Sequence, residues 1–390
     1  MSLNGVLLIS ALLGLVFLRM AFVKGRDTFT LDHFKTLPDS ELPALSIVIA
    51  AKDEAETIGP ALDSLLNLDY PELEIVVVDD RSTDDTLSIA QDKAQNHPRR
   101  ADLTVIQCRE LPRGWLGKVH ALHLGCQKSR HPLVLFTDAD VVFQKGSLKR
   151  AISAQQTLSC DHLAVAPLVE TKGFWEPALV AFFLILFAIR FQPSDVHKKR
   201  KSYVGIGAFN LLTREALERC DFLEPLRLQI LDDVHLGRLI KSRSMSQYCL
   251  VAEDKFRVRW FHGLRGCVLG LEKNAYAAME YSLVLSALVI PLVTCPLMTP
   301  IILIYFGQWP WALLYLVFLG SLGFIIPNSC RLPWWVGLSF PLASMAIAFT
   351  FSRSVLLAEW HQAVVWRDTS YPLSELRSEH AKFLNEVAPL

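Results

Sequence analysis

Four short apolar runs recur at nearly constant spacing, and this spacing constrains the fold more than any other feature. The runs start at Leu45, Leu73, Leu103 and Leu133, so successive starts lie 28, 30 and 30 residues apart. A strand-helix-strand unit needs about 30 residues, and strands that are apolar throughout are typical of a parallel sheet covered on both faces. The sequence therefore predicts an open, mostly parallel α/β sheet of the nucleotide-binding type.

Acidic residues follow three of these runs at the point where each predicted strand ends. Asp53-Glu54 follows the first run, Asp79-Asp80 ends the second, and Asp138-Ala139-Asp140 ends the fourth. Ligands of open α/β sheets bind beyond the carboxyl ends of the strands, so we expect these acids to line one cleft. The chain contains neither the glycine-rich dinucleotide fingerprint nor a P-loop, which excludes dehydrogenases and P-loop NTPases.

A cleft lined by carboxylates repels a diphosphate unless a divalent cation lies between them. Oxygen ligands suit Mg²⁺ or Mn²⁺, and Asp140 is the expected metal ligand. Glu54 or Asp80 is expected to accept hydrogen bonds from the base or the ribose of a nucleotide. The alternative, that acids at strand ends serve only as caps and turn formers, is favoured for Asp84 and Asp85.

The first residues of the chain form a long apolar segment. Residues 3–23 carry one charge and are long enough to cross about 30 Å of hydrocarbon, which predicts a transmembrane anchor over residues 1–24. A cleaved signal peptide is disfavoured, because no basic region precedes the segment and no small-residue cleavage site follows it. Lys24 and Arg26 predict that the following domain is cytoplasmic.

Apolar segments also dominate the carboxyl-terminal third. Residues 281–304, 311–326 and 334–351 predict about three transmembrane helices within 281–352, followed by a tail, 353–390. Three prolines in the first segment predict a kinked span or a re-entrant pair. The composition agrees, since 52% of residues are hydrophobic and only 20% are charged. We therefore expect a multi-pass protein of the cell membrane.

A shorter apolar stretch lies inside the predicted catalytic domain, near residues 174–192. Its uncharged part, residues 177–189 between Glu176 and Arg190, is too short to span a bilayer. Four basic residues follow at 198–201, which favours an interfacial helix half-embedded in the bilayer over a buried core helix beside a solvated loop.

Charge and cysteine content exclude two further classes. Lysine and arginine number 39 and aspartate and glutamate 39, so no basic excess favours nucleic acid as a partner. The eight cysteines include no C-x-x-C pair, which argues against a zinc site or a redox dithiol. Reduced cysteines agree with a catalytic domain in the cytoplasm.

Taken in order, these motifs resemble the membrane-bound family 2 glycosyltransferases with the GT-A fold, along most of the chain. Segment 46–54 resembles the opening strand of that family, with Asp53 where asparagine is usual. Segment 77–84 is similar to its second nucleotide-binding turn, and Asp138-Ala139-Asp140 to its D-x-D metal motif. D-x-D alone is a weak signal, but the ordered set is specific. The resemblance implies a GT-A catalytic domain over residues 44–270.

Two glycine-containing segments extend the resemblance. Gly114-Trp115-Leu116-Gly117-Lys118 resembles the G-W-x-G-K segment of the branch that includes ceramide glucosyltransferases and hopanoid-associated bacterial enzymes, which implies that Lys118 faces the diphosphate. Segment 204–215 is similar to the acceptor-side loop, where Gly205 and Gly207 would allow close backbone approach. For the second segment, a plain turn before a helix is the alternative.

Segment 228–238 resembles the E-D motif of the family, whose second acid is the general base. The resemblance assigns this role to Asp233, with Asp232 beside it in place of the commoner glutamate. An ordinary acidic residue at a helix start is the alternative. In the tail, segment 366–371 resembles the W-R/K-G-x-x-Y endings of the same branch without the glycine, and no role is assigned to it.

The family's Q/R-x-x-R-W motif has its nearest match at Phe256-Arg257-Val258-Arg259-Trp260, where phenylalanine takes the first position. The resemblance implies that Arg259 neutralises the departing diphosphate and that Trp260 stacks on a sugar or lipid head. Anchoring at a membrane interface explains a basic-aromatic pair equally well.

The resemblance as a whole implies an inverting glycosyltransferase. A divalent cation and Lys118 would hold a nucleotide-diphosphate sugar, expected to be a UDP-sugar, while Asp233 deprotonates a hydroxyl of a membrane lipid acceptor. The implied substrate-binding residues are Glu54, Asp80, Lys118, Asp138, Gly207, Asp232, Arg259 and Trp260. A processive polysaccharide synthase, a polyprenyl-phosphate sugar transferase and a non-catalytic nucleotide-sugar-binding membrane protein are the alternatives.

Overall fold

The computed structural model describes residues 29–99, 102–325 and 331–388. The predicted amino-terminal anchor, residues 3–23, lies outside these described residues. The described chain forms two compact units, a sheet unit and a helical unit. The sheet unit comprises Phe29–Leu168, Phe191–Arg259 and Ser378–Leu390, and the helical unit comprises Val169–Arg190 and Trp260–Arg377.

The described residues form twelve strands, and the first four begin where the apolar runs predict them. They are β1 (Leu45–Ala51), β2 (Leu73–Asp80), β3 (Leu103–Cys108), β4 (Leu133–Asp138), β5 (Val142–Phe143), β6 (His162–Ala166), β7 (Leu168–Val169), β8 (Asn210–Thr213), β9 (Gln247–Val251), β10 (Phe256–Val258), β11 (Ala363–Trp366) and β12 (Thr369–Pro372).

Seven of these strands form one sheet in the order β3-β2-β1-β4-β8-β6-β9. Strands β1 to β4 pair in parallel, β8 runs antiparallel to both β4 and β6, and β9 is parallel to β6. The predicted mostly parallel α/β sheet is confirmed. In the register, Ala51 of β1 lies opposite Asp79 and Ala50 lies opposite Asp138, so the acids of β2 and β4 flank the end of the central strand.

The helices alternate with the strands in the first half of the chain and dominate the second half. They are α1 (Ile58–Leu66), α2 (Thr86–Asn96), α3 (Gly117–Lys128), α4 (Ser147–Leu158), α5 (Trp175–Phe191), α6 (Arg214–Arg219), α7 (Asp232–Ser242), α8 (Gly263–Ala278), α9 (Leu283–Val293), α10 (Cys295–Tyr305), α11 (Trp309–Ile325), α12 (Phe340–His361) and α13 (Leu373–Glu386).

The core of the sheet unit follows from this alternation. All eight positions of β2 are buried, as expected for a strand covered on both faces. Helix α1 buries Ile58, Leu62 and Leu65, which recur at helical spacing. Before α2, Asp84 accepts hydrogen bonds from the backbone of Thr86 and Ala55, so this acid caps a turn as predicted. All seven cysteines of the described chain are free.

Two segments of the described chain are long and apolar enough to cross a membrane, Trp175–Asp195 and Phe340–His361. A third candidate is the pair α9 and α10, which bends by 57° at a short break. Prolines lie inside both helices, and the bend fits a kinked span and a re-entrant pair equally well. Helix α11 is apolar but shorter.

Two sequence-based boundaries require correction. The stretch near 174–192 is not too short to span, because the helical segment continues to Asp195. Helix α12 begins at Phe340, after a 3-10 turn at Trp334–Gly337, and runs ten residues past the apolar stretch that ends at Phe351. Charged residues on these added turns are paired, Arg353 with Glu272 and Glu359 with Arg377.

Candidate active site

The G-W-L-G-K segment and the D-x-D motif meet at the carboxyl edge of the sheet. Lys118 is the second residue of α3, and its Nζ lies 2.8 Å from Oδ1 of Asp138 at the end of β4. The same ammonium group lies 3.7 Å from Oδ2 of Asp232 in the first turn of α7. Lys118 therefore joins two acidic motifs that are far apart in the sequence.

Electrostatics keep Lys118 charged in this position. Burial alone would lower the pKa of the ammonium group, but the carboxylates of Asp138, Asp232 and Asp233 outweigh burial and raise the pKa above its ordinary value. Lys118 therefore neutralises part of the charge of these acids, and its contact with a diphosphate stays a prediction.

The predicted general base is held by backbone groups at the start of α7. The N–H of Gly207 donates to Oδ2 of Asp233 over 2.9 Å, and the N–H of Val234 donates to Oδ1 over 2.7 Å. Burial and the neighbouring Asp232 raise the pKa of Asp233 to about 6, although Lys118 opposes the shift. A carboxylate with a pKa near the working pH suits general-base chemistry.

Close approach of the loop to α7 depends on glycine. A Cβ atom on Gly205 would lie 1.7 Å from the carbonyl oxygen of Asp233, and a Cβ on Gly207 would lie 2.6 Å from Oδ2 of Asp138. Both contacts are shorter than any real Cβ makes, so larger residues would push the loop away from the acids. The loop therefore approaches Asp233 and Asp138 closely at both glycines, while its role on the acceptor side stays a prediction.

A cavity lies at this edge of the sheet unit and collects four of the predicted substrate-binding residues with the predicted base. Its polar lining includes Asn210, which the sequence analysis did not single out although Asn210 lies within the segment that resembles the acceptor-side loop. The residues that line the cavity are Lys118, Val119, Leu122, Phe136, Thr137, Asp138, Gly207, Asn210, Leu223, Leu226, Asp232, Asp233 and Leu236.

The donor set around Asp140 fits a divalent cation that also binds the substrate. Burial, followed by the charges of Asp138 and Glu54, raises the pKa of Asp140 to about 7, which is the crowding that a cation relieves. Within the described residues, no group of three acidic, histidine or cysteine side chains could hold a metal ion by itself. Mg²⁺ and Mn²⁺ commonly use one or two carboxylates together with phosphate oxygens and water, and Asp140 fits that pattern.

Asp80 and Arg81 form a cluster at the end of β2 that is not among the residues lining the cavity in the described chain. The carboxylate of Asp80 pairs with the guanidinium of Arg81, with Nε to Oδ1 at 2.8 Å and Nη2 to Oδ2 at 3.1 Å. A Cβ on Gly117 would lie 2.1 Å from Oδ2 of Asp80, so the glycine lets the amino end of α3 approach this carboxylate. Asp79, behind it, is buried, and burial raises its pKa. That the acids of the three strand ends share one cleft stays a prediction.

The structure does not bring the last two predicted residues into the cavity. Arg259 is the last residue of its segment of the sheet unit, and Trp260 begins a segment of the helical unit. Within the helical unit the ring of Trp260 contacts Phe183 edge-on, with centroids 5.8 Å apart. Neither residue is among those that line the cavity in the described part of the chain, so their roles remain predictions.

The end of the chain packs against the elements that carry the site, which the sequence analysis did not foresee. Glu379 pairs with the guanidinium of Arg227 at 2.8 Å, and the carbonyl of Arg227 accepts a hydrogen bond from the N–H of Leu116, directly before α3. The ring of Phe383 lies 4.9 Å from that of His235, two residues after Asp233. The only sequence signal is the spacing of apolar residues in α13.

Comparison with known proteins identifies the domain that contains most of these residues. Residues 46–221 match the family model "Glycosyl transferase family 2". This segment is therefore a family 2 glycosyltransferase domain, and the domain is that of a transferase. The matched range contains β1 to β4, the D-x-D motif, Lys118 and the glycine loop, whereas Asp232 and Asp233 follow it.

Two curated relatives cover parts of the chain. The 4,4'-diaponeurosporenoate glycosyltransferase of Staphylococcus aureus (strain MRSA252) is 27% identical over 205 residues, which are 52% of this chain and 52% of the relative. The poly-beta-1,6-N-acetyl-D-glucosamine synthase of Staphylococcus epidermidis is 34% identical over 103 residues, which are 26% of this chain and 23% of the relative. The chain thus spans about half or less of these relatives.

A solved structure is similar over most of the chain. The mannosyltransferase PcManGT from Pyrobaculum calidifontis, in complex with GDP-Man and Mn²⁺, superposes with a TM-score of 0.54 and 19% identity, covering 92% of this chain and 98% of that one. At this identity the likeness shows the fold, and the predicted GT-A fold is confirmed.

Proposed function

We propose that this chain is an inverting glycosyltransferase that moves a sugar from a nucleotide-diphosphate donor, expected to be a UDP-sugar, to a membrane lipid. One observation carries the proposal. One cavity contains both Asp233 and Lys118. The Gly207 amide fixes the carboxylate of Asp233, and Lys118 lies between Asp138 and Asp232. A base and a cation side by side suit an attack on a sugar whose leaving group is a diphosphate.

In the proposed reaction Asp233 takes the proton from an acceptor hydroxyl. The oxygen of that hydroxyl forms a bond to the anomeric carbon as the bond to the diphosphate breaks on the opposite face, so the anomeric configuration inverts. Lys118 stabilises the charge that develops on the leaving diphosphate. A divalent cation at Asp140 would supply further charge neutralisation when bound. The apolar side chains of Leu122, Leu223 and Leu236 limit access of water to the cavity.

We propose that the nucleotide binds at the cluster of Asp80 and Arg81. Asp80 would accept hydrogen bonds from the base or ribose, and its pairing with Arg81 means that the nucleotide must share or displace the guanidinium. Glu54, whose charge acts on Asp140, lies on the donor side as well. Arg259 and Trp260 are proposed to meet the diphosphate and the acceptor head, as the family motif implies.

A membrane lipid as acceptor is supported by the apolar helices. Two or three segments of the described chain could cross a bilayer, and the exposed basic run 198–201 follows one of them. We propose a multi-pass protein of the cell membrane with its catalytic domain in the cytoplasm. Interfacial placement of α5 and membership of the ceramide and hopanoid-associated branch remain predictions.

The second candidate function is synthesis of a polysaccharide. The relative named poly-beta-1,6-N-acetyl-D-glucosamine synthase favours it, although the similarity covers only 26% of this chain. The relative named 4,4'-diaponeurosporenoate glycosyltransferase covers twice as much of the chain and favours transfer to a discrete acceptor. Phe256, in the first position of the Q/R-x-x-R-W match, also disfavours a processive synthase.

The test is a transfer assay in membranes that contain the full chain. Radiolabelled UDP-sugars, with GDP-mannose in parallel, are supplied to wild type, Asp140→Ala and Asp233→Ala, and the products are extracted with organic solvent. Asp85→Ala is the matched control, because Asp85 is an exposed acid of a neighbouring turn that makes no cap hydrogen bond. Label in a discrete lipid that only the first two substitutions abolish supports the proposal. Label in insoluble polymer establishes the second candidate, and transfer unaffected by either substitution refutes both.

A further inference from the structure

Behind the glycine loop lies a buried polar network that neither the family motifs nor the proposed mechanism uses. It consists of His162 on β6, Asn210 on β8 and Gln247 on β9, which are all at most 2% exposed. The sheet register puts His162 opposite Gln247 and puts Asn210 opposite Ala164, two residues along the same strand. Because side chains alternate along a strand, the three residues share one face of the sheet.

The hydrogen bonds fix the role of every atom in this network. Oδ1 of Asn210 accepts from the backbone N–H of Ile206 at 3.1 Å, so Nε2 of His162, 3.0 Å away, must donate to the same oxygen. Oε1 of Gln247 accepts from the N–H of Val204 at 3.1 Å, so its Nε2 is the donor that faces Nδ1 of His162 at 2.6 Å. Only the neutral histidine with its proton on Nε2 satisfies both neighbours.

Burial agrees with that assignment. It lowers the pKa of His162 to about 4, although the hydrogen bond to Asn210 and the charge of Asp161 act in the opposite direction. The network is therefore uncharged over the whole physiological range, and its members are held by mutual hydrogen bonding. Fully satisfied buried networks of this kind are rigid and specify one arrangement of the groups around them.

The network holds the glycine loop against α7. Its side chains bind the loop at two backbone amides, those of Val204 and Ile206, which flank Gly205 and precede Gly207. The Nε2 group of Gln247 also donates to the carbonyl of Gly237 in α7, at 3.3 Å. One side chain thus binds both the loop that donates to the Asp233 carboxylate and the helix that carries Asp233.

The loop and α7 approach each other too closely to accommodate a side chain at either glycine of the contact. A Cβ on Gly237 would lie 2.0 Å from the carbonyl oxygen of Val204, and a Cβ on Gly205 would lie 1.7 Å from that of Asp233. The loop and the helix therefore approach backbone to backbone at two points close in sequence to the hydrogen bond from Gly207 to Asp233. A small shift of either element would lengthen that bond.

We propose that His162, Asn210 and Gln247 are positioning residues for Asp233, which hold the loop 204–207 against α7 so that the Gly207 amide orients the carboxylate toward the acceptor. The inference rests on the proposed function for the role of Asp233. It adds three residues, distant from one another in sequence, to the machinery of transfer. Gln247 and His162 do not line the cavity in the described chain, so their effect on turnover has to pass through the loop.

The test compares His162→Leu and Gln247→Leu with wild type, in the full chain purified in detergent. His162→Gln is the conservative variant, because its amide nitrogen can still donate to Asn210 and its oxygen can accept from Gln247. Ser46→Ala is the matched control, because Ser46 is a buried hydroxyl hydrogen-bonded to Glu74 at the opposite, amino-terminal edge of the same sheet. Three kinds of measurement are made. They are the number of UDP-binding sites, the steady-state constants (kcat per binding site and the donor KM), and amide hydrogen exchange.

We expect His162→Leu and Gln247→Leu to lower kcat per binding site roughly 100-fold, as a displacement of about 1 Å can do, with the donor KM unchanged within about threefold. His162→Gln should recover most of this loss, and Ser46→Ala should lose stability but keep kcat. Amides 204–209 and 232–238 should exchange faster in the two leucine variants, while those of β1 and β2 should not.

The inference is overturned if the leucine variants keep wild-type kcat per site, or if they lose UDP-binding sites while the remaining sites turn over normally. Unchanged exchange in the loop and α7 overturns it as well. Failure of the proposed function is a different result, because wild type would then transfer no sugar from any donor. The exchange data would in that case still decide whether the network holds the loop against α7.

Discussion

Nζ of Lys118 lies 2.8 Å from Oδ1 of Asp138, so the cation of the G-W-L-G-K segment neutralises the first acid of the D-x-D motif before any donor binds. Three carboxylates surround this one ammonium group, and together they raise its pKa. The arrangement keeps a positive charge at the place where a diphosphate is expected to arrive. It also means that Lys118 supports the acids as much as it contacts the donor.

Replacing Lys118 by methionine should therefore weaken both donor binding and transfer. We expect kcat/KM to fall by roughly 100-fold or more, because one preorganised cation at a developing charge contributes on that scale. Steady-state kinetics with the labelled donor provide the measurement. Lys128→Met, at the exposed end of the same helix, is the control, and equal losses in the two variants would contradict a specific role for Lys118.

Transfer should depend on pH through Asp233. Its pKa is raised to about 6, and the deprotonated form is the base, so kcat should rise with pH through about 6 and then level off. The sign follows from the carboxyl group being neutral, and unable to accept a proton, below its pKa. Lys118→Met should move this limb to higher pH, since the cation favours the carboxylate. A profile flat from about pH 5 to 8 in wild type would exclude Asp233 as the titrating base.

Binding of a divalent cation should also weaken as pH falls, for a different reason. Burial and the charges of Asp138 and Glu54 raise the pKa of Asp140 to about 7, so protons compete with the metal at this ligand. In the presence of UDP, Mn²⁺ should bind roughly tenfold more weakly at about pH 6 than at about pH 8, measured by calorimetry. Asp140→Asn should abolish binding, and Asp85→Asn should not. Equal Mn²⁺ affinity at both pH values would mean that Asp140 is not the ligand.

The sequence predicts the parallel half of the sheet because each strand-helix unit occupies a near-constant length of chain. Strand β8 could not be predicted in this way. It runs antiparallel between β4 and β6 and is not part of a strand-helix-strand unit of constant length. The buried network behind the loop is hidden for the same reason, because the pairing of His162 with Gln247 is a matter of register between β6 and β9.

Within the site, residue types could be predicted but their groupings could not. The acids at three strand ends suggested one cleft, but the spacing of the motifs did not reveal that Asp80 pairs with Arg81. Lys118 was expected to face a phosphate, and its position between Asp138 and Asp232 depends on where α7 begins in space. Apolar stretches located the candidate membrane helices, but α12 continues past its apolar stretch to His361, where Gln362 adopts a left-handed conformation.

Gly205→Ala tests how closely the loop must approach α7. Its new Cβ would lie 1.7 Å from the carbonyl oxygen of Asp233, so the loop or the helix must move. We expect a destabilisation of about 1–3 kcal/mol and a loss of transfer of roughly 100-fold, because the base moves with its backbone. Gly59→Ala is the matched control. Gly59 lies inside α1, and its Cβ would meet Ile89 of α2 at an ordinary 3.6 Å.

The control variant should be neutral or more stable than wild type, because alanine is the better helix former. Thermal unfolding followed by tryptophan fluorescence gives the stability, and the labelled-donor assay gives the activity. Full activity in Gly205→Ala would show that the backbone of Asp233 tolerates displacement, and the glycine would then have no role in positioning the base.

Phe383→Ala tests whether the end of the chain stabilises the helix that carries the base. Phe383 is 2% exposed, and its ring packs 4.9 Å from that of His235 in α7. Loss of a buried phenylalanine side chain costs about 3–5 kcal/mol, so we expect a lower unfolding midpoint for the sheet unit and faster amide exchange in α7. Transfer should fall in parallel, because Asp233 lies in the first turn of that helix.

Phe383→Leu, which keeps most of the apolar volume, should lose less than half as much stability. Wild-type exchange in α7 after Phe383→Ala would show that the end of the chain packs on this helix without stabilising it.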